Sequence, residues 1–180
     1  MFSFFKRTPE ETQNEERHRP SRDSQRAELL WKQGRRLLER KKFQRALESM
    51  REALELEPSR LDGRLNMGAA LYLTGQYDEA VSHLKYVLAF DPQNTPALLN
   101  LAAAYDALGR MDESIATLEK LVADRPQWGD AHYNLAVAYF KRELYDKAME
   151  ALKAELQINP QHEAARTLLN KIYLMPTRKN

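Results

Sequence analysis

From residue 27 onward, apolar residues fall on helical stripes that recur every 34 residues. Within each block, positions 4, 7, 8 and 11 share one face of a helix, and positions 17, 20, 24 and 27 share one face of a second. The pattern predicts helix, short turn, helix, four times over. The blocks are 27–60, 61–94, 95–128 and 129–162, with no insertion or deletion between them. Turns such as Leu73-Thr74-Gly75-Gln76 and Leu108-Gly109-Arg110 separate the stripes. Pro58, Pro92, Pro126 and Pro160 close the blocks, because the residue before a proline is pushed out of the helical region. Thr95 is the expected N-cap of a helix carrying Pro96 in its first turn. Residues 163–174 keep helical spacing and predict one further helix over the last block's open apolar face.

Side-chain size recurs with the same period. The eighth position is Gly34, Gly68, Ala102 and Ala136, and the twentieth is Ala46, Ala80, Ser114 and Ala148. Large residues hold the eleventh (Leu37, Leu71, Tyr105, Tyr139) and the twenty-fourth (Met50, Leu84, Leu118, Leu152). Small residues facing large ones at fixed offsets are what two closely packed antiparallel helices require. The fold class is therefore all-α, built from stacked helix pairs.

This signature resembles the tetratricopeptide repeat, over residues 27–162 of the 180. The resemblance implies a right-handed αα superhelix of four repeats plus a C-terminal capping helix at 163–174. The chain is expected to divide into a tether at 1–24, a repeat domain at 25–175 and a basic tail at 176–180. Some positions depart from the family. Its fourth-position Trp is Leu30, Arg64, Leu98 and His132 here, and its alanine at position 27 becomes Val87, Leu121 and Glu155. Glu155 is expected at a less buried edge of the last repeat.

In the family, positions 2, 5, 6, 9, 12 and 13 line the concave face. Carried onto this chain, position 6 gives Lys32, Asn66, Asn100 and Asn134. A side-chain amide both donates and accepts, so a row of three can hold an extended peptide by its main chain. Beside the row stand Leu65, Ala69, Tyr72, Leu99, Ala103, Tyr133, Val137 and Phe140, an apolar face of the kind that marks binding sites. The same residues can instead pack against neighbouring helices. For Trp31, packing is the favoured reading. The carboxylate clamp of co-chaperone relatives is not matched: over repeats 1 to 3 its positions hold Trp31, Arg35, Asn66, Pro96 and Asn100, and over repeats 2 to 4 none is cationic.

Charge adds one feature. Residues 1–60 hold 15 Lys and Arg against 11 Asp and Glu, a net of +4, and the remainder is net −2. The excess is sharpest at 32–45, where Lys32, Arg35, Arg36, Arg40, Lys41, Lys42 and Arg45 face only Glu39. Such a cluster can attract an acidic partner, anionic lipid or nucleic acid, and a solvated helix face explains it as simply. The overall net of +2 and the acidic later repeats argue against nucleic acid as the main ligand.

At the start of the chain, Phe2, Phe4 and Phe5 stand beside Lys6 and Arg7, followed by a polar stretch without periodicity that is expected to be disordered. This tip could touch an anionic membrane, occupy a repeat groove of its own or another copy, or have no role. There is no cysteine and no apolar run of membrane-spanning length. The four histidines show no metal-ligand spacing with a third ligand, and no glycine-rich phosphate loop occurs. The expectation is a cytoplasmic, non-enzymatic scaffold without cofactor or metal, binding a peptide or helix of another protein during assembly of a larger complex. The alternative is a membrane-associated or self-assembling organiser, homo-oligomeric through its tail.

Overall fold

In the computed structural model, the structure describes residues 21–175. The phenylalanine-rich tip at Phe2, Phe4 and Phe5 and the basic tail at 176–180 lie outside the described residues. Nine helices, and no strand, occur among the described residues: α1 (Arg22–Glu39), α2 (Phe43–Leu56), α3 (Leu61–Leu73), α4 (Tyr77–Phe90), α5 (Thr95–Ala107), α6 (Met111–Asp124), α7 (Ala131–Lys141), α8 (Tyr145–Ile158) and α9 (Glu163–Tyr173). Each predicted helix is present, and the breaks fall at the predicted turns.

The chain divides into two compact units at Arg60 and Leu61. The first contains the hairpin α1–α2. The Ser21 hydroxyl starts α1 by accepting from the Ser24 N–H. Ala27, Trp31 and Gly34 of α1 are buried, as are Ala46, Leu47, Met50 and Ala53 of α2. A Cβ on Gly34 would stand 2.7 Å from Met50 Cγ, which is why this position stays small. Arg60 ties the hairpin's open end together, reaching Glu28 on α1 at 2.9 Å and Glu57 at 3.0 Å. Its hydrogen bond to Glu28 holds that carboxyl below the usual range.

The second unit stacks three hairpins, α3–α4, α5–α6 and α7–α8, and closes with α9 against α8. The small-against-large rule holds again: a Cβ on Gly68 would lie 2.7 Å from Leu84 Cγ. Where position 20 is serine, the buried Ser114 hydroxyl donates to the Ala102 carbonyl at 2.9 Å, binding the two helices of one hairpin by a polar link. A continuous core of Leu118, Leu135, Ala136, Leu152, Ala165 and Ile172 runs from the α5–α6 hairpin to the closing helix.

All four turns are built alike. Position 15 adopts the left-handed conformation in every repeat, at Lys41 (φ 56), Gly75 (φ 79), Gly109 (φ 72) and Glu143 (φ 59). The next N–H then reaches back to the carbonyl of position 11: Lys42 to Leu37 at 2.8 Å, Gln76 to Leu71 at 2.9 Å, Arg110 to Tyr105 at 2.8 Å and Leu144 to Tyr139 at 2.9 Å. This is a Schellman ending, which satisfies the last carbonyls of the first helix and reverses the chain.

Two expectations are corrected. The N-cap of α5 is Asn94, whose side chain accepts from the Ala97 N–H, and Thr95 is the buried first residue of the helix. Glu155 does not sit at an exposed edge. It is fully buried, for reasons given below.

Candidate functional site

The helices α3, α5 and α7 carry the inward positions of three successive repeats in the second unit. Asn66, Asn100 and Asn134 are half-buried, and so are Leu65, Ala69, Tyr72, Leu99, Ala103, Tyr133, Val137 and Phe140. None of the eleven is core and none is fully exposed. The three amide side chains engage no other described residue. None of the three therefore caps a local backbone group. The row does not extend to Lys32, which stands exposed on α1 and pairs with Glu28 at 3.5 Å.

The apolar residues divide by what supports them. Leu99, Tyr133 and Phe140 rest one side on the core and leave the other open. Tyr72 leans on Tyr77 with ring centres 5.6 Å apart, and Phe140 on Tyr145 at 5.7 Å. Rings buttressed in this way are fixed before anything binds, which lowers the entropy lost on capture.

Two clefts open on this face. The first, of about 170 Å³, lies between α5 and α7 and brings together Leu99, Ala103, Asn134 and Val137 with Asp106 and Lys141. The second, of about 590 Å³, lies between α7 and α9 and joins Tyr133, Val137 and Phe140 to Thr167, Leu168 and Lys171. Lys141 lines both and is paired with Asp106. The Lys171 ammonium stands 5.0 Å from the centre of the Phe140 ring. Leu65, Asn66, Ala69, Tyr72 and Asn100 share the same positions in the repeat but line neither cleft.

Asp106, Lys141, Thr167, Leu168 and Lys171 escaped the sequence reading, although a signal existed. Counting the 34-residue period on into α9 puts Thr167, Leu168 and Lys171 at positions 5, 6 and 9, which are inward positions. The closing helix thus extends the concave surface as well as covering the core. Below the surface, Tyr139 donates its hydroxyl to Glu119. Burial, and then that carboxylate, push its pKa up, so it remains a neutral donor.

The basic residues Lys32, Arg35, Arg36, Arg40, Lys41, Lys42 and Arg45 are all exposed on the first unit. Trp31 is 3% exposed and belongs to the packing, as favoured.

Sequence spacing gives the histidines no third ligand, yet the fold brings one of them, His162, beside two carboxylates. Asp130, Glu155 and His162 converge where α7 and α9 begin and α8 ends. Glu155 occupies the alanine position of the family, and its carboxylate turns inward to accept from the N–H groups of Asp130 at 3.4 Å and Tyr133 at 3.3 Å. These are otherwise unpaired first-turn donors of α7, and the helix dipole favours an anion there. His162 Nε2 lies 3.0 Å from Asp130 Oδ1 and 4.0 Å from Glu155 Oε1. Its Nδ1 accepts from the Ala165 N–H at 3.2 Å and so caps α9. That bond assigns the ring proton to Nε2, pointing at the carboxylates. As arranged, the cluster presents a proton and not a nitrogen lone pair. A cation at Nε2 would require the other tautomer and loss of the α9 cap. The cluster is best described as a staple joining the starts of two helices to the end of a third.

Comparison with known proteins agrees with this architecture. Three family models, each described as tetratricopeptide repeat, match residues 32–95, 71–132 and 129–162. A search of the curated proteins finds no match. Among solved structures, the chain is similar to MamA (residues 41 to the end) from Desulfovibrio magneticus RS-1, with 26% identity, a TM-score of 0.75, and 82% of this chain and 83% of that chain covered. It is similar in fold to a further MamA crystal structure, with 22% identity, a TM-score of 0.74, and coverage of 82% and 80%. A tetratricopeptide repeat protein from Parabacteroides merdae ATCC 43184 also shares the fold, with 22% identity, a TM-score of 0.75, and coverage of 83% and 60%. With three repeat models tiling residues 32–162, and with helices, turns and packing residues in the same register, the chain belongs to the tetratricopeptide repeat family.

Proposed function

We propose that the protein is a non-enzymatic interaction scaffold whose concave face captures an extended segment of another protein. The observation that carries this reading is the row Asn66, Asn100 and Asn134: one residue type at one position of three successive repeats, half-buried, with every amide free among the described residues. Amides spaced along a groove suit a peptide main chain, which offers a donor and an acceptor at each residue. The buttressed rings and the two clefts supply places for apolar side chains. Family membership and the fold shared with MamA support a role in protein interaction. Use of that role in assembling a larger complex is part of the proposal.

Main-chain capture has a direct test. A random-peptide display selection on the purified protein yields ligands, which are then remade with alternate backbone amides N-methylated. The reading expects N-methylation to weaken binding at least tenfold, while substitution of side chains outside the two clefts changes it little. Equal affinity of methylated and unmethylated peptides would sink it.

A further inference from the structure

Helix α1 is amphipathic in an unusual way. Its inner face buries Ala27, Trp31 and Gly34. Its outer face is not simply polar. Leu29, Lys32, Gln33, Arg36, Leu37 and Arg40, at helical spacings of three and four, line one shallow groove of about 410 Å³. No acidic side chain lines it. Leu29 is 68% exposed, although a solvated helix face gains nothing from an exposed leucine between cations.

The charges are also uncompensated. Lys32 has Glu28 at 3.5 Å, one turn before it. Arg36 and Arg40, and beyond them Arg35, Lys41, Lys42 and Arg45, have no ion-pair partner among the described residues. Elsewhere in the chain arginines do find carboxylates, as Arg60 finds Glu28 and Glu57, and Arg142 finds Asp112. A run of unpaired cations continues through the turn after α1, where Lys41 is held in the left-handed conformation.

We infer that the outer face of α1 and the following turn form a docking surface for an anionic lipid bilayer. This surface belongs to the first unit, and the asparagine row to the second. The chemistry favours lipid over the other polyanions. A phosphate backbone alone has no use for the exposed Leu29, and the face carries no aromatic ring on which a base could stack. A bilayer surface uses both kinds of residue: an exposed leucine enters the headgroup boundary while lysine and arginine stems lie along it with their charges outward. One such element binds weakly and reversibly.

The experiment is co-sedimentation of the full chain with vesicles of phosphatidylcholine alone and of phosphatidylcholine mixed with phosphatidylglycerol, at low and high salt. The wild type is expected to bind the mixed vesicles only, and to leave them at high salt. The triple variant Lys32→Gln, Arg36→Gln, Arg40→Gln removes exposed charges without touching the core. It should lose about a hundredfold in partitioning, from roughly fivefold for each of the three cations near the surface. Leu29→Ser should lower binding without changing net charge, whereas Lys120→Gln with Lys153→Gln, on the second unit, should not. Unchanged helical circular dichroism confirms that each variant is folded. Equal binding to neutral vesicles, or full binding by the triple variant, would overturn the inference. So would tighter binding to a random DNA duplex or to polyglutamate than to the anionic vesicles at the same salt. Peptide capture by the asparagine row should be unaffected by the α1 variants, so the two proposals fail separately.

Discussion

Single residues set the spacing and the turns. Gly68 has no room for a Cβ, because Leu84 Cγ would lie 2.7 Å away. Gly68→Ala should therefore lower stability by about 1–3 kcal/mol, the usual cost of overpacking, and thermal unfolding measures it. Position 15 offers the reverse case. Lys41 holds a positive φ that two other repeats assign to glycine, at Gly75 and Gly109. A non-glycine residue there costs about 1–2 kcal/mol, partly offset because glycine loses more entropy on folding. Lys41→Gly should thus raise stability by up to about 1 kcal/mol in denaturant titration. No gain would mean that the Lys41 side chain contributes something its local geometry does not show. Gly68 was legible in the sequence as a periodic small position, whereas Lys41 stood out only as part of the basic cluster. The sign of neither effect was legible, because whether a Cβ fits depends on the partner helix and whether a turn is strained depends on φ.

Helices and their ends form the next scale. The bounds of α3 to α8 were readable because each helix repeats the same small and large positions in the same turn frame. The end of the array was read less well. Glu155 breaks the family pattern at position 27, and its partners are Asp130 and Tyr133, 25 and 22 residues earlier in the chain. Periodicity carries no information about such a pairing, so an aberrant residue was placed at an edge when it is buried. Its carboxylate caps α7 from outside, and His162 caps α9 while facing Asp130. Glu155→Gln keeps the shape but removes the charge from the helix start, and should cost about 1–2 kcal/mol. Amide hydrogen exchange gives the local signature: the N–H groups of Asp130 and Tyr133 should exchange faster, while those of α4 stay as they were. Uniform acceleration throughout the second unit would instead indicate a general packing defect.

At the scale of the molecule, the period that builds the core also repeats one inward residue type, and that coincidence underlies the functional reading. Within the second unit, a stack of hairpins places position 6 of each repeat on the same side by the same geometry that buries positions 7, 8 and 11. The candidate face was therefore largely legible in the sequence through its periodic residues. The contribution of α9 was not, because a helix read as a cap was not counted on as a fifth inward element. Among the described residues, no helix is long and apolar enough to cross a membrane. Attachment through α1, as proposed above, would be peripheral.

The most direct test of the central claim is the affinity of a display-selected peptide for the triple variant Asn66→Ala, Asn100→Ala, Asn134→Ala, measured by fluorescence anisotropy. The three side chains make no bonds to described residues, so the variant should unfold at the wild-type temperature within a few degrees. At about 1 kcal/mol for each amide bond to a peptide main chain, its affinity should fall by roughly a hundredfold. A folded variant that binds the peptide as tightly as the wild type would contradict the account.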